Sequence, residues 1–469
     1  MRVSTSSQRS MWESRGNAGQ RNADHRHTQK GFLDLRIQVL WRHLKKEPAA
    51  FWLYLIYLVF EYLRPQSIYP AIAVLPWGQL MLLACLGAVL LGKGYRRSFH
   101  PIDGLVIAFF AWTVFSGFFA IRPDESWDAW EGAASWALLY FLGTHILLTR
   151  TRLFLFWLGF FVINLKMSQH GARGFIQRGF SFADWGVTGS PGWFQNSGEF
   201  AIQMVGIMVL SWCFFMALRP YLSKRKHLLL LALFPGTAVL SVVASSSRGG
   251  QLAAAVVLLA LALVHRVRFR TLVGISIAFW IGWIILPSEQ KVRFETMGTD
   301  ETSVERLTLW REARVLAAEN PIFGIGYSNW EVHLRSQGLR PVEVHNTVLE
   351  AASELGYPGA AFFLALVLMT FLTNRKTRRV ARGLGEWERV VRGMALGLDL
   401  ALLGFFVAGQ FMSVLFYPIF WMVFTMSTSL SLVSDRDRNA QARDRWARRR
   451  QAWLDTKKQQ TVNGIVLPS

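Results

Sequence analysis

The feature that most constrains this chain is a succession of apolar runs, each close to the length needed to cross a bilayer, separated by short segments rich in Lys and Arg. A hydrocarbon core takes roughly 20 apolar residues per helix, and inside it every backbone N–H and C=O must be satisfied within the span. The stretch from Phe51 to Val433 has room for about twelve such helices and one large loop. Spans are predicted near residues 49–63, 72–92, 102–120, 133–149, 152–165, 197–218, 227–244, 250–265, 270–287, 348–373, 393–411 and 415–433. The expected fold class is therefore all-α: a polytopic membrane protein with a large, partly helical outer loop. Composition agrees, with 52% hydrophobic and 14% aromatic residues in a chain of 469.

The formal charge of +21, from 51 basic and 30 acidic residues, raises the possibility of a nucleic-acid partner, but its distribution argues for topology instead. Alternate connections carry Lys93, Arg96 and Arg97; Arg150 and Arg152; Arg219, Lys224, Arg225 and Lys226; Arg266, Arg268 and Arg270; and Arg375, Lys376, Arg378, Arg379 and Arg382. The connections between these are acidic or mixed, as at Asp124, Glu125 and Asp128. Short cytoplasmic loops retain Lys and Arg, so both termini are expected in the cytoplasm, and membrane lipids rather than nucleic acid are the expected surroundings. Cys85 and Cys213 fall inside predicted spans, so no disulfide framework is implied. The polar, basic N-terminus lacks the pattern of a removable signal peptide.

Six regions follow. Residues 1–31 read as a disordered basic extension, and 32–47 as an amphipathic juxtamembrane helix on which Leu33, Ile37, Leu40, Trp41 and Leu44 recur at helical spacing. Residues 48–287 hold the first nine spans, with an outward Gly-rich loop at 166–196. Residues 288–347 form a second outward excursion, in which Thr302 and Glu305 make a capping box and Pro321 stops the helix they open. Residues 348–433 hold the last three spans, and 434–469 a basic cytoplasmic tail. Long outward segments are where function is expected.

Arg248, at the outer junction of two spans and followed by two glycines, has a planar fork suited to phosphate oxygens at a helix N-terminus. The competing reading is an interfacial arginine that anchors a helix end. His345 precedes a span that Thr347 and Glu350 are expected to cap, and the positive end of that helix would favour the neutral ring a general base requires. A lone histidine is more often structural, but this helix is interrupted from Gly356 to Gly359, and broken helices at membrane depth line protected or wet cavities. Arg306 and Arg314 share a helical face with Trp310; Arg311 and Arg314 also fit a solvated face paired with Glu305 and Glu312. Asp399 is either a proton relay or a partner of Arg392. The sequence contains no metal-ligand spacing, phosphate-cradling loop or nucleophile elbow, so neither metal nor cofactor is expected.

In this order, the segments around Ser247–Gly250, Arg306–Trp310, Asn320–Gly326 and His345–Glu350 resemble the bacterial O-antigen ligase and polymerase family, with Glu354 to Gly356 closing the set. Gly189–Asn196 looks like that family's Gly- and Asn-rich segment before a span. The resemblance implies a metal-independent inverting glycosyltransferase of the inner membrane, acting at the periplasmic face. Its implied donor is a glycan on undecaprenyl pyrophosphate, and its acceptor a hydroxyl on lipid A core, a growing glycan or a protein. Carried over by position, His345 would be the base and Arg248 and Arg306 would hold the pyrophosphate, with Arg311, Arg314, Asn346 and Asn196 as further substrate contacts. The Tyr and Pro within the Gly356–Gly359 break depart from the family pattern. A flippase for lipid-linked sugars is the reading from another class; it calls for paired broken helices in both halves, and only one break is evident.

Overall fold

A computed structural model describes residues 32–180, 186–264, 291 and 301–462, whose regular structure is all helical, without strands among the described residues. In chain order the helices are α1 (Ile37–Leu44), α2 (Ala49–Tyr62), α3 (Trp77–Leu91), α4 (Pro101–Phe118), α5 (Pro123–Ile146), α6 (Arg150–Gln177), α7 (Ser197–Leu218), α8 (Lys224–Ala244) and α9 (Arg248–Val264). After the undescribed segment come α10 (Glu301–Glu319), α11 (Trp330–Ser336), α12 (Thr347–Val380), α13 (Glu386–Ala408) and α14 (Pro418–Val462). Among the described helices, α4, α6, α7, α8, α12 and α13 are long and apolar enough to cross a membrane, and α3 and α9 are shorter apolar helices. The predicted span at 270–287 and the extension at 1–31 lie outside the described residues. The protein is a helical, multi-pass membrane protein. On α12, Leu364, Leu368 and Leu372 are 40%, 60% and 47% exposed at four-residue spacing, as a stripe facing lipid would be.

Helix α7 is apolar on every side and is buried almost completely, the pattern of a helix enclosed by its neighbours. Helices α13, α9, α8 and α6 surround it. Close approach to α13 depends on missing side chains: a methyl group on Gly393 would lie 3.0 Å from Ala217 Cβ, and one on Gly397 3.1 Å from Cys213 Cβ. Small residues four apart let two backbones meet where burial of apolar surface offers no drive between helices.

Ion pairs concentrate on one end of the bundle. Arg97 makes a bidentate contact with Asp103 at 2.6 and 2.8 Å, and Tyr140 donates to the same carboxylate at 2.7 Å. Arg152 pairs with Glu47 at 2.6 Å, Arg150 with Asp437 at 2.5 Å, and Lys376 with Asp435 at 3.2 Å. Asp399 pairs with Arg378 and accepts from Asn374, whereas Arg392, its expected partner, reaches Glu388 one turn away.

Two elements run further than their apolar patterns predict. Helix α6 continues to Gln177, twelve residues into the expected loop 166–196, because Met167, Gly171, Ala172 and Phe175 keep a buried stripe while Lys166 and His170 face outward. The described part of the basic tail continues α14 as helix to Val462.

Candidate active site at three helix N-termini

The turn between α13 and α14, residues 409–414, gathers the N-termini of α12, α9 and α7. Thr347 N donates to Gly409 O at 2.8 Å. The Thr347 hydroxyl donates to Met412 O at 2.7 Å and accepts from Val414 N at 3.1 Å. A methyl group on Gly249 would sit 3.1 Å from Phe411 Cβ, and one on Gly198 would sit 2.8 Å from Met412 Cε. Glycines at 198 and 249 bring the starts of α7 and α9 close to this turn, and Thr347 ties the start of α12 to it. Each start is the partially positive end of a helix dipole, so together they favour an anion.

Each N-terminus is held by its own cap. Asn196 Oδ1 accepts from Gly198 N at 2.8 Å on α7, and Ser247 Oγ accepts from Gly250 N at 3.2 Å on α9. On α12 the cap is Asn346, whose Oδ1 accepts from Val348 N and Leu349 N at 3.0 Å each. The N-cap expected at Thr347 therefore falls one residue earlier, without the capping box expected with Glu350, since the Thr347 hydroxyl is taken by the turn. The amide of Asn346 is occupied at both ends, because its nitrogen donates to Gln410 O at 3.3 Å.

That cap fixes His345. Its backbone is left-handed, with φ 55°, a conformation a side-chain-bearing residue keeps only when its surroundings enforce it. Both backbone groups are tied: His345 N donates to Ser413 Oγ at 3.1 Å, and Trp310 Nε1 donates to His345 O at 3.3 Å. Partial burial, reinforced by the positive charge of Arg306, pushes the imidazole down to about 4. The ring is neutral at physiological pH, as the sequence suggested, and burial with Arg306 accounts for it.

Helix α10 presents Arg306 and Trp310 to this histidine. Arg306 and Arg248 are both partly buried. Arg311 and Arg314 are exposed instead, and Arg314 Nε folds back to Trp310 O at 3.2 Å. Trp310 thus joins the helix to the site, as its shared face with Arg306 implied.

Acidic residues that the sequence did not single out complete the surroundings. Glu343 Oε2 lies 3.8 Å from His345 Nδ1. Partial burial, with Glu199 and Glu331 nearby, pushes its carboxyl up to about 7. Glu199 hydrogen-bonds Tyr417. None of these carries a motif, and only folding brings α7, α11 and α14 to the histidine. Away from the histidine, Arg64 has a left-handed backbone at φ 46°, its guanidinium packs on Gly192, and its Nε is buried without a hydrogen bond. The signal available for it was an arginine directly before Pro65 at a span end. Among the described residues, no three His, Cys, Asp or Glu side chains group as metal ligands.

The break in α12 is filled by protein. Gly356 adopts φ 70° and ψ 178°, and Pro358 offers no N–H. The carbonyls released are taken up by neighbours: Ile325 N donates to Ser353 O at 2.9 Å, Gly326 N to Glu354 O at 3.0 Å, and Trp112 Nε1 to Leu355 O at 2.8 Å. Glu354 accepts in turn from Ser328 N at 3.1 Å and Trp330 N at 3.0 Å, starting α11. The break anchors the Asn320–Gly326 segment, whose amides, with Trp112, satisfy the released carbonyls.

Residues 228–364 match the family model described as O-antigen ligase. The chain carries an O-antigen ligase domain. No curated protein matches the sequence. The ligase domain begins in α8, ends within α12, and contains Arg248, Arg306, Glu343 and His345. The 409–414 turn, Tyr417 and the start of α7 with Asn196 and Glu199 lie outside that match. An O-antigen ligase domain on apolar helices makes this a membrane protein of the glycosyl-transfer class, acting in polysaccharide biosynthesis.

Proposed function

We propose that the protein transfers a glycan from undecaprenyl pyrophosphate to an acceptor hydroxyl at the periplasmic face of the inner membrane. The observation that carries this reading is a neutral imidazole, His345, under the influence of Arg306 and beside a turn where three helix N-termini meet. In the proposed step, His345 Nε2 takes the proton of the acceptor hydroxyl as that oxygen attacks the anomeric carbon. The bond from that carbon to the pyrophosphate oxygen breaks, and its electron pair stays on the departing diphosphate. Attack opposite the leaving group inverts the anomeric centre. Arg248, Arg306 and the helix N-termini neutralise the growing charge, the task a divalent ion performs in other diphosphate chemistry. Arg311 and Arg314 are available to the glycan beyond the diphosphate, while Asn346 and Asn196 act through the helix starts they cap.

The topology that fits is twelve spans with both termini cytoplasmic. It is supported by the clustering of Arg97, Arg150, Arg152, Lys376 and Arg378 at one end of the bundle, opposite the end that holds His345. The acceptor we favour is lipid A core or a growing glycan, since the outer excursion holds only the helices α10 and α11 among the described residues.

Replacing His345 with Ala removes the base, and transfer is expected to fall by roughly 10²–10⁴-fold at unchanged protein level and membrane insertion. Normal product from that variant ends the assignment. Surface glycans of a deletion strain separate the acceptors: unligated lipid-linked polymer for a ligase, single-repeat chains for a polymerase, unglycosylated protein for a protein glycosyltransferase.

A further inference from the structure

We propose that Glu343 is a positioning residue for His345: it holds the Nδ1–H so that the Nε2 lone pair is free for the acceptor proton, and it pairs with the imidazolium as that forms. The inference rests on His345 being the base of the proposed transfer.

The backbone sets up the pair. Val344 is buried in the small core of α10 and α11, while its neighbour Glu343 stays partly open. Trp330 Nε1 holds this segment by donating to Val342 O at 2.8 Å. Glu343 Oε2 then faces His345 Nδ1 at 3.8 Å, an ion-pair separation that a small side-chain rotation closes to a hydrogen bond. Ser413 serves both partners: its hydroxyl accepts from His345 N at 3.1 Å, and its backbone N–H interacts with the Glu343 carboxylate. Both side chains stay partly open, at 26% for His345 and 41% for Glu343, so an acceptor can reach the ring.

Charge supplies the need. Arg306 from α10 opposes a second positive charge on the imidazole, and the α12 N-terminus opposes it as well. Proton abstraction creates that charge, so an anion at Nδ1 offsets both. The groups facing Glu343 are Glu199 from α7, Glu331 from α11, Glu350 from α12 and Tyr417 before α14. Burial first, and then the charges of Glu199 and Glu331, push its carboxyl up to about 7, so it ionises as pH rises through that value. Ionised, it accepts Nδ1–H and offsets the charge of the imidazolium; protonated, its carbonyl oxygen still accepts but that charge is gone.

The test uses full-length wild type, Glu343→Gln, Glu343→Asp and His345→Ala at matched levels in membranes of a deletion strain, which supply native donor and acceptor. Initial transfer rates are read from pH 5.5 to 8.5. The wild type is expected to gain activity through pH about 7. Glu343→Gln, which keeps the shape and the Ser413 contact, is expected to lose roughly 10- to 100-fold, less than the full contribution of a general base, and to lose that acid limb. Glu343→Asp retains the limb. A Glu343→Gln enzyme within twofold of wild type, or with its limb unmoved, while His345→Ala is inactive, overturns the role of Glu343 alone. Transfer by His345→Ala at the wild-type rate overturns the base assignment and this inference with it.

Discussion

Replacing Gly356 with Ala probes the joint that attaches the outer excursion to α12. Gly356 adopts φ 70° and ψ 178°, a region essentially closed to residues with a Cβ, and occupying it costs about 1–3 kcal/mol. The added methyl would also run into the backbone carbonyl of Ile322 and lie 2.9 Å from Pro321 O. Backbone cannot swing aside as a side-chain tip does, so overpacking adds about 1–3 kcal/mol. The total is about 2–6 kcal/mol. Gly338 supplies the control, since it has the same φ of 70° but nothing within 4 Å of an added methyl, so only the left-handed penalty of about 1–2 kcal/mol applies. Denaturant unfolding of both variants in detergent measures the difference, expected at about 2 kcal/mol or more. Equal losses would refute the claim that the 321–326 segment is wedged into the break. Gly356→Ala is also expected to lower transfer, because α10 reaches His345 through Trp310 and is tethered by that segment.

Three further outcomes are expected. Asn346→Ala removes the cap of α12 and lowers stability by about 1 kcal/mol, whereas Asn346→Asp, which keeps an acceptor for Val348 N and Leu349 N, retains most of it in the same unfolding assay. Asp103→Ala leaves Arg97, whose side chain is 4% exposed, buried without its anion; a loss of about 3–5 kcal/mol is expected, read as a lower unfolding midpoint, while the folded fraction keeps its specific transfer rate. Transfer by the purified protein is expected to persist in excess chelator, because arginines and helix N-termini supply the charge on the diphosphate; loss of activity restored by a divalent ion would contradict that account.

The residues of the proposed site carry local patterns in the sequence. Arg248 opens a span after three serines, Arg306 and Trp310 lie one turn apart, and His345 precedes a broken helix; each is a local pattern with a local physical meaning. What escaped was the cap at Asn346, since Thr347 fits the capping pattern equally well until the turn at 409–414 takes its hydroxyl. Glu343 and Glu199 escaped for another reason: an isolated glutamate says nothing until a tertiary neighbour gives it a role. The extension of α6 to Gln177 escaped because Lys166 and His170 look like the end of a span, and a helix that leaves the membrane has no need to stop there.

By itself the sequence determined where apolar segments lie and which ends carry positive charge, because span length and the resistance of Lys and Arg to translocation are properties of contiguous residues. Only the tertiary structure decided which helix starts meet and how the break in α12 is closed. The hydrogen bonds that close it join residues as far as 243 apart, from Trp112 to Leu355. Whether a freed carbonyl finds water, a ligand or another part of the chain depends on packing across the whole bundle, and no local pattern encodes that.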